Sequence, residues 1–284
     1  MSNILVTGAS GFIGRALVAQ LKSQGYGVLE MCTADGDISD IDIFKKFSLI
    51  KISHIFHLAG KTYVPDSWME PGKFYQTNVF GTFNVLEFCK SQSIPLTFVS
   101  AYVYGHPEGL PIAEDSRISP SNPYALSKRL AEEACEFYAR TYEMSITTIR
   151  PFNVYGHGQF YSFLIPSIIH QVLSQPEIRV LDLLPRRDYV YLGDLVDALL
   201  ATIERTKGYN VYNIGSGHSM SVQEVVDAIQ EVAGTNKDVL AEGVVRKNEL
   251  EDVVADISNA FMGLGWQPRH NFKSGILKIL SGTS

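Results

Sequence analysis

Short apolar, β-type runs alternate with helical periodicity through the first half of the chain. The run NILVT reads as a strand, and Ile13, Leu17, Val18 and Leu21 then recur at helical spacing, which predicts a helix over 11–24. VLEMCT, HIFHLAG, LTFVS and SITTIR read as further strands, with helices expected over 43–47, 74–90 and 124–142. Strands and helices in this order specify an α/β fold, a Rossmann-like doubly wound parallel sheet. Pro151 breaks the rhythm. Beyond it, loops such as FNVYGHGQ and LLPRRDYVYL mix with helices expected over 164–173, 194–203 and 221–232. The second half therefore reads as a smaller, interwoven C-terminal lobe, some of whose segments return to the sheet. No repeat, low-complexity tract or Gly/Ser linker marks a flexible joint.

Composition narrows the setting. With 284 residues, 45% of them hydrophobic, the chain can bury a full core. A net charge of −6 offers no basic field to a nucleic acid, so no nucleic-acid partner is expected. Cys32, Cys89 and Cys135 are odd in number and widely spaced, which fits reduced thiols in a cytoplasmic protein better than a disulfide framework. No secretory leader is expected before a strand that begins near residue 3, and no apolar run approaches the ~18 residues of a membrane span.

The stretch TGASGFIG places Gly8, Gly11 and Gly14 between the first strand and the first helix. In such a turn the glycines allow a tight bend, close approach of backbone to a pyrophosphate, and close helix–strand packing. The helix N-terminus then presents free N–H groups to the anion. The second strand of a dinucleotide fold commonly ends in an acid that grips the adenosine ribose. Here Cys32 stands at that place, and no arginine replaces the acid to hold a 2′-phosphate, so both NAD and NADP stay open. Asp37 and Ile38, soon afterwards, are placed to bond and pack an adenine, although Asp37 also suits a helix cap.

SNPYALSK carries the chemistry. Asn122 suits an N-cap and Pro123 the first helical position, which puts Tyr124 and Lys128 on one helix face at i and i+4. A phenol with an ordinary pKa near 10 works at neutral pH only if neighbouring cations lower it by ~3 units, about 4 kcal/mol. Ser100, at the expected carboxyl end of the strand LTFVS, supplies a hydroxyl where ligands sit in such sheets.

TGASGFIG, HLAG, Ser100, YALSK, RPFNVYG and RRDYVYLGDL together resemble the extended short-chain dehydrogenase/reductase family, in its NAD(P)-dependent nucleotide-sugar epimerase, dehydratase and reductase branch. The resemblance runs along nearly the whole chain. It implies that Gly8, Gly11 and Gly14 carry the cofactor's pyrophosphate, with Ser10, Phe12 and Ile13 also binding the cofactor, that Asp37 and Ile38 hold adenine, and that Leu58, Ala59 and Gly60 line the cofactor channel. Tyr124 is then the acid/base, Lys128 binds the nicotinamide ribose and tunes Tyr124, and Ser100 binds the reacting oxygen. Asn153, Arg187 and Arg246 match substrate-binding positions, the two arginines clamping a nucleoside diphosphate, for which a bidentate guanidinium is well suited. Residues 1–150 become the NAD(P)-binding domain with the catalytic residues, and residues 151–284 mainly the substrate-binding lobe.

Within that branch, a 4,6-dehydratase carries an Asp-Glu pair after the active-site hydroxyl, and the 3,5-epimerizing reductases carry a cysteine two residues beyond it and a histidine in a later loop. This chain has Ala101 and Tyr102 there, and SFLIP at 162–166 holds no histidine. Simple oxidoreduction at sugar carbon 4 remains. Asp66-Ser67-Trp68 and the run NVFGT at 78–82 resemble GDP-4-keto-6-deoxymannose reductases, which makes a 4-ketoreductase the leading reading, a UDP-glucose 4-epimerase-like enzyme the alternative, and a non-catalytic cofactor-binding sensor the reading of another class. His54 and His57 fall on opposite faces of a strand, and no metal site is expected. The aromatic residues Phe152, Tyr155, Phe160, Tyr161 and Phe163 suit either base stacking or lobe packing. By resemblance the chain is a homodimer paired through the outer faces of the helices over 74–90 and 124–142, where Phe83, Leu86, Leu130, Phe137 and Tyr138 suit either that pairing or the monomer core.

Overall fold

The computed structural model describes residues 3–203, 207–244 and 249–282. The first half runs β1 (Asn3–Thr7), α1 (Phe12–Ser23), β2 (Gly27–Met31), β3 (Ile52–His57), α2 (Val64–Met69), α3 (Pro71–Phe74), α4 (Gly81–Gln92), β4 (Leu96–Val99), α5 (Pro123–Thr141) and β5 (Ile146–Pro151). The second half adds β6 (Asn153–Tyr155), α6 (Leu164–Ser174), β7 (Ile178–Val180), β8 (Arg186–Tyr191), α7 (Leu192–Ala201), β9 (Tyr209–Ile214), β10 (Ser219–Ser221), α8 (Val222–Ala233), β11 (Val239–Ala241), α9 (Ser258–Leu264) and α10 (Phe272–Ser281).

The principal sheet is six-stranded, in the order β2-β1-β3-β4-β5-β9, and every neighbouring pair is parallel. The expected doubly wound fold is present, with β9 of the second half completing its edge. Strands β1, β3 and β4 are buried along nearly their whole length, because helices cover both faces. Their alternate side chains feed two cores. Leu5, Ile55, Leu96 and Ile146 face α4 and α5, whereas Ile4, Phe56, Val99 and Ile149 face α1 and α7. Smaller sheets β10-β8-β6 and β11-β7, with α6, α8 and α10, enclose a third core around Ile168, Val225, Val226 and Ile276.

Two expected helices differ in kind. Residues 41–47 wind as a 3₁₀ helix capped by Asp40, whose side chain accepts from Asp42 N. The helix expected over 74–90 is real but passes through one π-helical stretch, Tyr75–Phe80. There the wider winding turns Asn78 inward, where its side chain bonds Lys61 N, Lys61 O and Ser127 Oγ at 2.8–3.0 Å.

Candidate active site

The glycine turn leaves no room for side chains. Gly8 has φ +72°, and a Cβ there would lie 2.7 Å from Ala59 N; one on Gly14 would lie 2.1 Å from the Gly8 carbonyl. Backbone contact thus joins the turn to the loop Leu58-Ala59-Gly60 after β3. Thr7 Oγ1 reinforces the joint, accepting from Ala59 N at 3.2 Å and meeting His57 Nδ1 at 2.7 Å. Helix α1 begins after Gly11 with no side-chain cap and no acid in its first turn. Its leading N–H groups face outward at a helix end that favours an anion, and a backbone cradle of this shape fits a dinucleotide diphosphate. Ser10 lies in the bend, while Phe12 and Ile13 pack partly into the core beneath it.

Around the end of β2 the structure alters what the sequence suggested. The strand stops at Met31, and Cys32 begins a short 3₁₀ turn. Asp35 folds back so that its carboxylate accepts from Cys32 N at 2.8 Å, meets Cys32 Sγ at 3.4 Å and pairs with Lys46 at 2.5 Å. The Lys46 ammonium and these hydrogen bonds hold the Asp35 carboxyl down at about 2. An acid is therefore present beside the missing one, three residues later; a polar residue at i+3 of a turn start was the available signal. Asp37 does not cap a helix; it turns onto Ser39, whose N and Oγ both lie 2.9 Å from its Oδ1. Ile38, expected against an adenine, spends its side chain in the core, pressed so closely on Gly81 that a Cβ there would sit 2.6 Å from Ile38 Cγ2.

At the carboxyl end of β4, Lys128 and Ser100 come together, while the Tyr124 ring, at the start of α5, meets the Phe74 ring edge-on with centroids 6.4 Å apart. Asn122 caps α5, accepting from Ala125 N at 2.8 Å, and Pro123 opens the helix, as the sequence indicated. Lys128, 3% exposed, donates from Nζ to the Val99 carbonyl at 2.7 Å and sits over the Phe98 ring. The next residue is Ser100, whose buried Oγ has no hydrogen-bond partner among the described residues. A Cβ on Gly60 would lie 3.0 Å from Asn78 Oδ1 and 3.5 Å from Lys128 Nζ, so the cofactor loop reaches the same place. Burial pushes the Tyr124 phenol above its ordinary pKa and pulls the Lys128 ammonium down to about 8. The expected lowering of Tyr124 by Lys128 is thus not seen in the chain alone, where burial of the phenol is the cause at work.

The substrate-side candidates divide. Asn153, on β6, donates to the Asp188 carbonyl at 3.1 Å and keeps its side chain half-buried. Arg187 forms no surface pair with Asp188. Its guanidinium instead pairs with Glu249 and donates to the carbonyls of Leu250 and Arg186 at 2.7 Å. Asp188 is wholly buried and accepts from Ser216 N, Gly217 N and Ala255 N. Glu249 was missed because it sits in a charged run that reads as a solvated segment. Arg246 lies outside the described residues. Of the aromatic loop, Phe152 and Tyr155 are core residues, whereas Phe160 and Tyr161 stand about three-quarters exposed, at 75% and 74%. Among the described residues no group of His, Cys, Asp and Glu could hold a metal, and no helix is long and apolar enough to cross a membrane.

Known proteins are similar to this chain over nearly its full length. The sequence model of the NAD dependent epimerase/dehydratase family matches residues 4–215, and a model for a family of unknown function matches 181–265. A putative UDP-glucose 4-epimerase of Methanocaldococcus jannaschii is 31% identical over 98% of this chain and 97% of its own. The GDP-6-deoxy-D-mannose reductase of Pseudomonas aeruginosa is 30% identical over 98% and 96%. Among solved structures, RMD from Pseudomonas aeruginosa complexed with NADPH superposes with a TM-score of 0.91 at 29% identity, covering 99% of this chain and 98% of that one. MoeE5 in complex with UDP-glucose and NAD superposes at 0.89 with 30% identity, covering 99% and 98%. The chain belongs to the NAD dependent epimerase/dehydratase family, the nucleotide-sugar branch of the extended short-chain dehydrogenase/reductases.

Proposed function

We propose that this protein is an NAD(P)-dependent oxidoreductase acting at carbon 4 of a nucleoside-diphosphate sugar, with reduction of a 4-keto-6-deoxyhexose as the leading reaction. The observation that carries this reading is the unpartnered, buried Ser100 hydroxyl, one residue from the carbonyl that holds Lys128. A dehydrated donor with no protein acceptor is costly unless a ligand oxygen completes it.

In this reading Gly8, Ser10, Gly11, Phe12, Ile13 and Gly14 hold the diphosphate of NAD or NADP, and Leu58, Ala59 and Gly60 flank its path. When bound, the nicotinamide supplies the hydride. Ser100 donates to the sugar's carbonyl oxygen and orients it, while Tyr124 delivers the proton that balances the added hydride. Lys128 is the cation available to stabilise the phenolate left behind, and with a cationic nicotinamide it opposes the burial that raises Tyr124. Asn153 and Arg187 face the nucleotide sugar, and Arg187 must leave Glu249 to clamp its diphosphate. Residues 1–150 form the cofactor domain, and residues 151–284 mainly the substrate lobe, with β9 returned to the sheet.

The relatives named as 4-epimerases favour a second reading, in which a resident NAD takes the hydride and returns it to the opposite face. Cofactor content separates the two. Purified protein that is empty and oxidises NAD(P)H with a 4-keto-6-deoxy nucleotide sugar supports the reductase. Protein that retains stoichiometric NAD and interconverts 4-epimers overturns it. Protein that binds NAD(P)H yet neither reduces a 4-keto-6-deoxy nucleotide sugar nor interconverts 4-epimers would sink both in favour of a sensor.

A homodimer and a cytoplasmic setting complete the proposal. Phe83, Leu130 and Phe137 are exposed on α4 and α5, whereas Leu86 and Tyr138 are core, so the pairing face rests on the first three. Light scattering should give twice the 31.5 kDa chain mass, and Phe137→Glu should return it to monomer.

A further inference from the structure

Glu132 and Arg150 form the most deeply buried ion pair among the described residues, their side chains 0% and 3% exposed. The contact is bidentate, Arg150 Nε to Oε1 at 2.9 Å and Nη2 to Oε2 at 2.8 Å. Arg150 Nη1 also donates to the Tyr104 hydroxyl at 2.8 Å and to the Glu114 carbonyl at 2.9 Å. Tyr104 in turn donates to Asn213 Oδ1 at 2.6 Å, and the Glu114 carboxylate accepts from Asn213 N at 2.7 Å. One brace therefore ties α5 to β5, to the loop after β4 and to β9. Dehydrated pairs of this kind rarely stabilise a fold more than apolar packing of equal volume, so this one asks for a purpose other than stability.

Its placement supplies one. Glu132 lies one helical turn beyond Lys128, and Arg150 stands near the end of β5, beside the strand whose final carbonyl receives Lys128 Nζ. We propose that Glu132, clamped by Arg150, is a positioning residue for Lys128: it fixes α5 at the height where Nζ meets the Val99 carbonyl and keeps a carboxylate behind that ammonium. The role assigned to Lys128 rests on the function proposed above.

The other groups near Lys128 offer no substitute. On α5, Tyr124 and Cys135 are both raised by burial and stay neutral. From β3, His57 is pulled down to about 3 and is neutral as well. From β4, the Phe98 ring face lies 4.8 Å from Nζ, and from α4 the Cys89 thiol is raised by burial. The Arg150 charge is turned onto Glu132. Glu132 is thus the carboxylate that opposes the desolvation of Lys128.

The test follows Lys128 itself, in cofactor-free protein carrying lysine labelled with ¹³C at Cε, its resonance assigned by its loss in Lys128→Arg. Wild type should titrate near pH 8, and Glu132→Gln about one pH unit or more lower. Glu132→Asp should return part of that shift. The double variant Glu132→Met/Arg150→Met, which leaves no unpaired buried charge, should regain the thermal midpoint lost by Glu132→Gln yet keep the lowered titration. A Lys128 midpoint unchanged from wild type in the folded double variant overturns the proposal. Because no turnover is measured, that result leaves the proposed function standing, and a shifted midpoint in a protein with no NAD(P)H oxidation removes only the function.

Discussion

Replacing Ser100 by alanine separates what the fold wants from what the chemistry wants. The Ser100 hydroxyl is buried at the end of β4 with no partner among the described residues, although its backbone N donates to the Ile149 carbonyl at 2.8 Å. The variant keeps that backbone bond and removes only the oxygen. Burying an unpaired hydroxyl costs about 1–3 kcal/mol, and the loss of side-chain volume returns some of it, so a net gain of about 1 kcal/mol is expected for the free protein. For a chain of this size that is a rise of roughly 2 °C in thermal midpoint. Turnover should move the other way, kcat falling by about 10²-fold or more with the loss of a donor to the reacting oxygen. Differential scanning fluorimetry on cofactor-free protein, with NAD(P)H oxidation alongside, reads both. A lower midpoint in Ser100→Ala would show that the hydroxyl is satisfied within the fold, and the argument for a ligand oxygen at that place would fail.

Tyr124→Phe should lower kcat by about 10²–10⁴-fold while cofactor affinity, measured by NAD(P)H fluorescence, stays within about twofold, since the ring is kept and only the proton is lost. Gly14→Ala drives a Cβ to 2.1 Å from the Gly8 carbonyl; the variant should lose about 3 kcal/mol in urea titration and fail to bind cofactor calorimetrically. Acid should destabilise the chain through two histidines. Burial holds His54 and His57 at about 3, below the ordinary 6.5, so the unfolded chain binds more protons between those values and stability falls as pH drops through that window. At pH 5 the cost is about 2 kcal/mol for each, and His54→Gln should remove about half of the urea-midpoint shift between pH 7.5 and 5. An unchanged shift in that variant would mean that carboxylates set the acid limit instead.

How much of this was legible depends on the range of the interaction concerned. The succession of strands and helices along the chain, the glycine turn and the cap of α5 are local patterns: apolar periodicity, three glycines whose missing Cβ atoms matter within the turn, an Asn-Pro start. These the sequence carries openly, and Ser100, Tyr124 and Lys128 follow from them because strand ends and helix faces are set by the same periodicities. What failed to show was pairing across distance. Arg187 and Asp188 are neighbours on β8, whose pleat sends the two side chains to opposite faces, and each finds partners more than twenty residues away. The burial of Ile38 against α4 was hidden for a related reason, since it depends on a loop whose path no short window encodes. The Glu132–Arg150 brace is the sharpest case. Eighteen residues separate its members, Arg150 opens the RPFNVYG run without any sign there of its partner, and only the parallel register of β4 and β5 brings the arginine behind α5. Placed there, it makes the charge of Lys128 a property of the whole sheet end, which is why a sequence reading could name the lysine but not the group that governs it.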